Sequence, residues 1–321
     1  MFGLRFDFRN PGFAGVTMAD RYAAALDMAE WADGLGCVSI TVSEHHGSAD
    51  GYLPSPLPML AAMAARTTNV NLMVAAVIVP FYDPLRLAED ILVLDNLSKG
   101  RVNVILAGGY VRDEFDMFGV SLAERGKRVT EAVETLRAAF AGESFDFRGR
   151  KVRVTPEPYR EGGPSLILGG SSEVAARRAA RIADGFIPSV PQVWDAYRDE
   201  TVKIGKADPG PNPMPAARTI ALAADPAAGW RAHAPYFLHE TNAYGAWLAA
   251  NDGGGPYREM QDVDALRAGK EYAVLTPEQM VAELKQAPFP FAMFHPMCGG
   301  TPPELAWTSL ELFETEVLNA L

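Results

Sequence analysis

Two cysteines, Cys37 and Cys298, are all that 321 residues contain. A disulfide framework is therefore excluded, and no thiols stand at metal-ligand spacing. Both are expected as buried thiols. No apolar run reaches the ~18 residues needed to span a bilayer. The segment from Met1 to Phe8 lacks the basic start and long apolar centre of a signal peptide, so a cytoplasmic location is the expectation. Positive charge is also scarce: 29 Lys and Arg against 40 Asp and Glu leave a net charge of −11. A nucleic-acid or anionic-membrane partner requires a basic face, and neither is expected. What the chain has in quantity is apolar residues, 48% against 21% charged, enough for a sizeable core. Its length allows either one large α/β barrel or two smaller domains.

Apolar segments of strand length alternate with helix-patterned ones along the chain. Gly3–Phe8, Cys37–Val42, Val70–Val79, Arg101–Ala107, Ser165–Leu168, Gly185–Pro188, Ala216–Ala223 and Phe289–Phe294 are the predicted strands. Between them, helical spacing marks Tyr22–Leu35 (with Thr17 and Asp20 as capping residues), Pro56–Arg66, Pro84–Leu97, Asp113–Phe118, Leu122–Phe140, Glu173–Ala183 and Val193–Ile204. Thr276–Lys285 and Pro302–Ala320 complete the helices. Phe145–Val154 alternates like a hairpin around Arg148-Gly149, which predicts a surface insertion near 144–158. Asp208–Pro213 and Asp252–Pro256 are breaks, and the aromatic stretch Trp230–Trp247 between them lies in a helical excursion near 226–270.

About eight βα units with right-handed crossovers close into an α/β (β/α)8 TIM barrel with insertions. No composition shift marks a linker, so one domain over 1–321 is expected. A doubly wound open sheet would need Gly-x-Gly-x-x-Gly after the first strand; Arg9-Asn10-Pro11-Gly12-Phe13-Ala14 does not supply it.

Three clusters bear chemistry at predicted strand ends, which in a barrel face the active site. Ser43-Glu44-His45-His46 offers a general acid or base, or a histidine pair bonded to loop carbonyls. Alternation along a strand keeps the three titratable groups from one metal ion, so no metal site is expected. Leu168-Gly169-Gly170-Ser171-Ser172-Glu173 runs from strand to helix and is either a phosphate cradle or a plain N-cap. Ala107-Gly108-Gly109-Tyr110 either admits a flat ligand or is a tight turn. Arg125 and Arg128 are phosphate contacts or solvated cations.

The ordered set of motifs resembles one family. Ser43-Glu44-His45-His46, Val74–Pro80, Asp83–Asp90 and Leu94–Arg101, then Gly108-Gly109, Glu114-Phe115, Phe118-Gly119, Arg125 and Leu168–Ser171, are similar to the bacterial luciferase-like flavin monooxygenases. The resemblance covers about the first two thirds of the chain. It implies a barrel that binds reduced FMN, often supplied by a separate flavin reductase, and oxidises a small-molecule substrate through a flavin C4a-hydroperoxide.

The same resemblance makes His45 the catalytic histidine beside the isoalloxazine and Ala75-Ala76 a non-prolyl cis peptide under the ring. It places Gly170, Ser171 and Arg125 at the FMN phosphate; Gly108, Gly109 and Gly169 are counted as cofactor-binding from the glycine runs at their strand ends. A homodimer through helices of the first half is implied too. One departure stands out: Ala107-Gly108 replaces a Cys-Arg pair of the luciferase proper, removing a thiol and one phosphate-binding arginine. Other branches use coenzyme F-420 and transfer hydride without oxygen, and a non-catalytic flavin-binding barrel is the remaining alternative.

Overall fold

Along the first strand Phe2, Leu4 and Phe6 are buried together, while Arg5 on the opposite face is half-buried. This period of two sets one face of every strand under helices and the other toward the barrel interior. The computed structural model describes residues 1–213, 218–251, 255, 257–269 and 271–321.

In chain order the elements are β1 (Phe2–Phe6), α1 (Met18–Gly34), β2 (Ser39–Val42), α2 (Pro56–Arg66), β3 (Asn71–Ile78), α3 (Pro84–Ser98), β4 (Val102–Ala107), α4 (Arg112–Phe118) and α5 (Arg125–Phe140). The hairpin β5 (Phe145–Phe147) and β6 (Arg150–Val152) follows, then β7 (Leu166–Gly170), α6 (Glu173–Ile182), β8 (Gly185–Pro188) and α7 (Trp194–Lys203). The last part is β9 (Thr219–Leu222), α8 (Pro226–Ala250), α9 (Val263–Ala268), β10 (Tyr272–Leu275), α10 (Pro277–Gln286), β11 (Ala292–Phe294) and α11 (Pro303–Leu312).

Among the described residues nine strands form one parallel sheet in the order β10-β9-β11-β1-β2-β3-β4-β7-β8. The architecture is that of a (β/α)8-type barrel, as expected, with one addition. Tyr272–Leu275 pairs along β9 from Tyr272↔Thr219 to Leu275↔Leu222 and supplies a strand absent from the sequence reading. It is only four residues long, too short to show a period of its own.

Helix starts follow local chemistry. Thr17 accepts the Asp20 amide at 3.1 Å, Asp83 accepts the Leu85 amide at 3.0 Å, and Thr276 with Gln279 forms a capping box. The outward strand residues Leu4, Ile40, Val42, Leu72, Val74, Val104 and Leu106 join the helices' apolar faces in the main core. Each buried aliphatic side chain there contributes ~1.5–3 kcal/mol.

Several boundaries differ from expectation. The first strand ends at Phe6 because Phe8 has φ 61°, a left-handed backbone that breaks the extended chain. The last helix stops at Leu312 and continues as a π turn over Phe313–Val317. Residues 216–217 of the seventh predicted strand, and 252–254 and 256 of the second break, lie outside the described residues.

Candidate active site

The C-terminal strand ends carry the titratable groups, as a barrel requires. Beyond β2 the chain has turned, so His45 and His46 address different partners. His45 Nδ1 lies 2.7 Å from Glu114 Oε1, and the same oxygen accepts the His46 backbone N–H at 2.9 Å. His46 Nε2 meets Glu44 Oε1 at 2.7 Å. With Glu114 ionised, the His45 proton sits on Nδ1 and Nε2 is left as the exchangeable nitrogen. Glu114 lies at the start of α4 and is buried. Its orienting role was not legible beyond its place in a matched motif.

Glu44 is buried and reaches β3: its Oε2 accepts the Ile78 N–H at 3.0 Å and its Oε1 the Tyr82 hydroxyl at 3.1 Å. The β3·β4 register shifts between Ala75 and Val77, and the Ala75–Ala76 peptide is cis, as the resemblance implied. Ala75 and Ala76 are half-buried, as are Thr41, Met73, Asn103, Ala107, Gly108, Gly109, Ile167 and Gly169. The outward residues between them are buried. The inner face near the mouth is thus reachable, lined by small and apolar groups suited to a flat ligand.

The glycine clusters divide. Gly109 has φ 70°, and a Cβ there would lie 2.7 Å from Ile78 Cγ2, so the turn itself demands glycine. A Cβ at Gly169 would point to Ile105 at 3.2 Å. At Gly170 it would lie 2.7 Å from the Ala175 Cβ of α6. Glycine at 170 is therefore imposed by helix packing, whatever binds at the turn. Ser172 is the N-cap, accepting the Ala175 amide at 3.3 Å. No hydrogen bond engages Ser171 among the described residues, and it is exposed beside the helix start. The Arg125 side chain runs past Gly108, where a Cβ would meet its Cδ at 3.6 Å.

The aromatic stretch splits as well. Tyr244 and Trp247 of α8 reach the mouth: Trp247 lies 4.3 Å from the His45 ring and Tyr244 6.0 Å. His239 Nε2 sits 2.8 Å from Asp50 Oδ2. Trp230, His233 and Phe237 instead pack together near β10, Phe237 at 5.0 Å from Tyr272.

Sequence reading missed Arg9. The left-handed turn at Phe8 sends this fully buried arginine under α8. Its guanidinium lies 4.8 Å from the Tyr52 and Tyr244 rings and 4.6 Å from Trp247. Asp50 pairs with it. Burial alone would raise Asp50, but the His239 hydrogen bond and the Arg9 charge outweigh it and hold the carboxyl well below the usual range.

A second buried network lies beneath. Glu240 accepts Arg5 at 2.9 Å, Tyr272 at 2.7 Å and the Cys298 thiol at 3.0 Å. His295 stands 3.1 Å from Glu240 and 3.5 Å from Asp7. Burial opposes charge on this imidazole, yet the two carboxylates, Asp7 foremost, raise its pKa overall. Arg5 already neutralises Glu240, and the thiol is held protonated by burial and the adjacent carboxylate, while both ring nitrogens of His295 are buried without a hydrogen-bond partner among the described residues. Cys37 is buried as expected, its thiol pushed up to about 12 by desolvation.

Comparison with known proteins gives the following. A family model described as luciferase-like monooxygenase matches residues 1–287. The crystal structure of the monooxygenase RslO1 from Streptomyces bottropensis superposes with TM-score 0.76 at 26% identity, covering 99% of this chain and 98% of that one. The FMN complex of the oxygenating constituent of 3,6-diketocamphane monooxygenase from Pseudomonas putida has TM-score 0.71 at 18% identity, covering 98% of this chain and 97% of that one. An F420-dependent glucose-6-phosphate dehydrogenase from Nocardia farcinica is 30% identical over 186 residues, 54% of this chain and 55% of that protein. The chain spans about half the length or less of the curated relatives it matches first. No described helix is long and apolar enough to cross a membrane.

Proposed function

The chain belongs to the luciferase-like monooxygenase family, and from that premise we propose that it uses reduced FMN and dioxygen to oxidise a small organic substrate. The observation that carries this reading is a convergence at one barrel mouth. The His45–Glu114 pair, the half-buried Ala75 and Ala76 and the turn at Gly169–Ser171 lie toward the C-terminal ends of β2, β3 and β7, which with β4 are consecutive in the sheet, and Arg125 meets the turn after β4.

The residues fit such a cofactor. Ala75 and Ala76 offer a side-chain-poor surface for a ring system, and Gly108, Gly109 and Gly169 allow backbone approach. Ser171 and Arg125, with the amides opening α6, suit a phosphate. When bound, reduced FMN would supply the electrons that activate dioxygen. The protein's part is to hold the proton: Glu114 fixes it on Nδ1, and Nε2 gives or takes one at the reacting edge. Tyr244, Trp247 and Tyr110 around His45 exclude bulk water.

A second reading is hydride transfer with coenzyme F-420, favoured by the relative in Nocardia farcinica that carries this dependence in its name. A flavin-binding barrel without activity is the third. A cytoplasmic homodimer fed by a separate reductase completes the proposal. Titrating purified protein with FMN and with F-420, whose absorption and fluorescence differ, separates the first two. Oxygen consumption with reduced FMN over a substrate panel is the expected result. Binding of neither cofactor would overturn the reading.

A further inference from the structure

Position 108 is glycine, so β4 brings no cation to the turn beside Ser171. The nearest helices supply them instead. Arg178 crosses from α6 to lie on the second residue of α5: a Cβ on Gly126 would sit 3.0 Å from the Arg178 Cζ and 3.3 Å from its Nη1. Glycine at 126 therefore admits the guanidinium there. Its neighbours on α6 are compensated, Arg177 by Glu173 and Glu200, and Arg181 by Glu200.

Arg178 is half-buried, and among the described residues no carboxylate or hydrogen-bond acceptor engages it. Arg125 donates only to the Leu122 carbonyl, at 3.4 Å. Arg128 reaches Glu124 only at 3.8 Å, and its Nε is buried without an acceptor. In a chain of net charge −11, Arg178 and Arg125 are held with little counter-charge against their own repulsion. Burial, then Arg125 and Arg181, accordingly pull the Arg178 pKa down. An anion would relieve this, and Ser171, whose hydroxyl is unengaged among the described residues, follows β7, the neighbour of β4 whose next turn at Gly108 meets Arg125.

We propose that Arg178, admitted by Gly126, forms with Arg125 a clamp for a phosphate monoester. This rests on the flavin reading, in which the monoester is the FMN phosphate. A planar guanidinium can hold two phosphate oxygens at once, whereas an ammonium acts as a point charge.

The test compares FMN with riboflavin, the same ring system without phosphate, by quenching of flavin fluorescence. Arg178→Ala should weaken FMN binding on the order of 10- to 100-fold and leave riboflavin binding unchanged, with Arg178→Lys in between. Gly126→Val, which displaces the guanidinium while keeping it, should repeat the pattern. Equal losses for both flavins, or no loss for FMN, would overturn the clamp. If the parent protein binds neither flavin, the flavin reading fails, and melting with inorganic phosphate then decides on the clamp alone. Phosphate should raise the melting temperature of the parent and not of Arg178→Ala; no rise in the parent removes the anion site as well.

Discussion

One carboxylate oxygen of Glu114 serves two neighbours: the His45 ring at 2.7 Å and the His46 backbone N–H at 2.9 Å. The catalytic candidate is thus held by a group sixty-nine residues away in the chain, and its tautomer is set from outside its own loop. His45→Ala should lower turnover on the order of 100-fold or more, with cofactor affinity changing far less. Glu114→Gln should lower turnover by a smaller factor, because the amide no longer selects the Nδ1–H tautomer. His46→Gln, still able to donate to Glu44, should stay within about fivefold of the parent. Steady-state kinetics of the three variants with one substrate checks this. A His45→Ala enzyme that matches the parent would end the proton-transfer assignment.

Glu44 joins the second strand's end to the third. Removing it strands the Ile78 N–H and the Tyr82 hydroxyl, the latter kept protonated by burial and by Glu44 itself. Glu44→Ala should cost ~2–4 kcal/mol, and Tyr82→Phe, which removes one donor, ~1 kcal/mol. Urea unfolding midpoints measure both. A Glu44→Ala protein as stable as the parent would mean that water or another group replaces the carboxylate.

His233 has an acid-side signature. Burial lowers it from its ordinary 6.5 to about 4. A depressed histidine is neutral in both states above pH ~6.5, so its effect there is nil. As the pH falls toward ~4, the unfolded chain takes up a proton that the folded one refuses. Stability should then drop by up to ~3 kcal/mol. His233→Leu removes this loss, so the difference between the two proteins should be small at pH 7 and grow between pH 6.5 and 4. Parallel curves for the two proteins would count against it.

Gly170 is a packing glycine, with Ala175 2.7 Å from where its Cβ would be. Gly170→Val should therefore destabilise the protein by ~2 kcal/mol or more through displacement of α6. Thermal melting in the absence of any flavin reads this directly. An unchanged melting temperature would return the residue to the ligand side of the turn.

Period and punctuation made the first two thirds of the barrel legible. Val70–Val79 and Arg101–Ala107 announce buried strands, and the observed ends of β3 and β4 fall within one or two residues of them. The site was legible where a strand end coincides with a motif, as at His45. It was not legible where a side chain arrives from afar: Arg9 follows a backbone turn at Phe8 that no composition encodes, and Glu240 and His295 meet only after folding. Tyr272–Leu275 escaped notice because four apolar residues between two helices have no period of their own.

The cage around Arg9 bears on how this mouth can be re-engineered. Tyr52 belongs to the loop after β2, Tyr244 and Trp247 to α8, and the cation to the end of β1. A chimera that imports residues 226–250 from another barrel would bring a new roof but leave Arg9 and its partner Asp50 behind. Unless the import carries aromatic groups at the Tyr244 and Trp247 positions, the cation loses its rings, and the transplanted helix loses its fastening above His45. The roof over His45 in such hybrids is then inherited as a matched set of three chain segments rather than as one exchangeable helix.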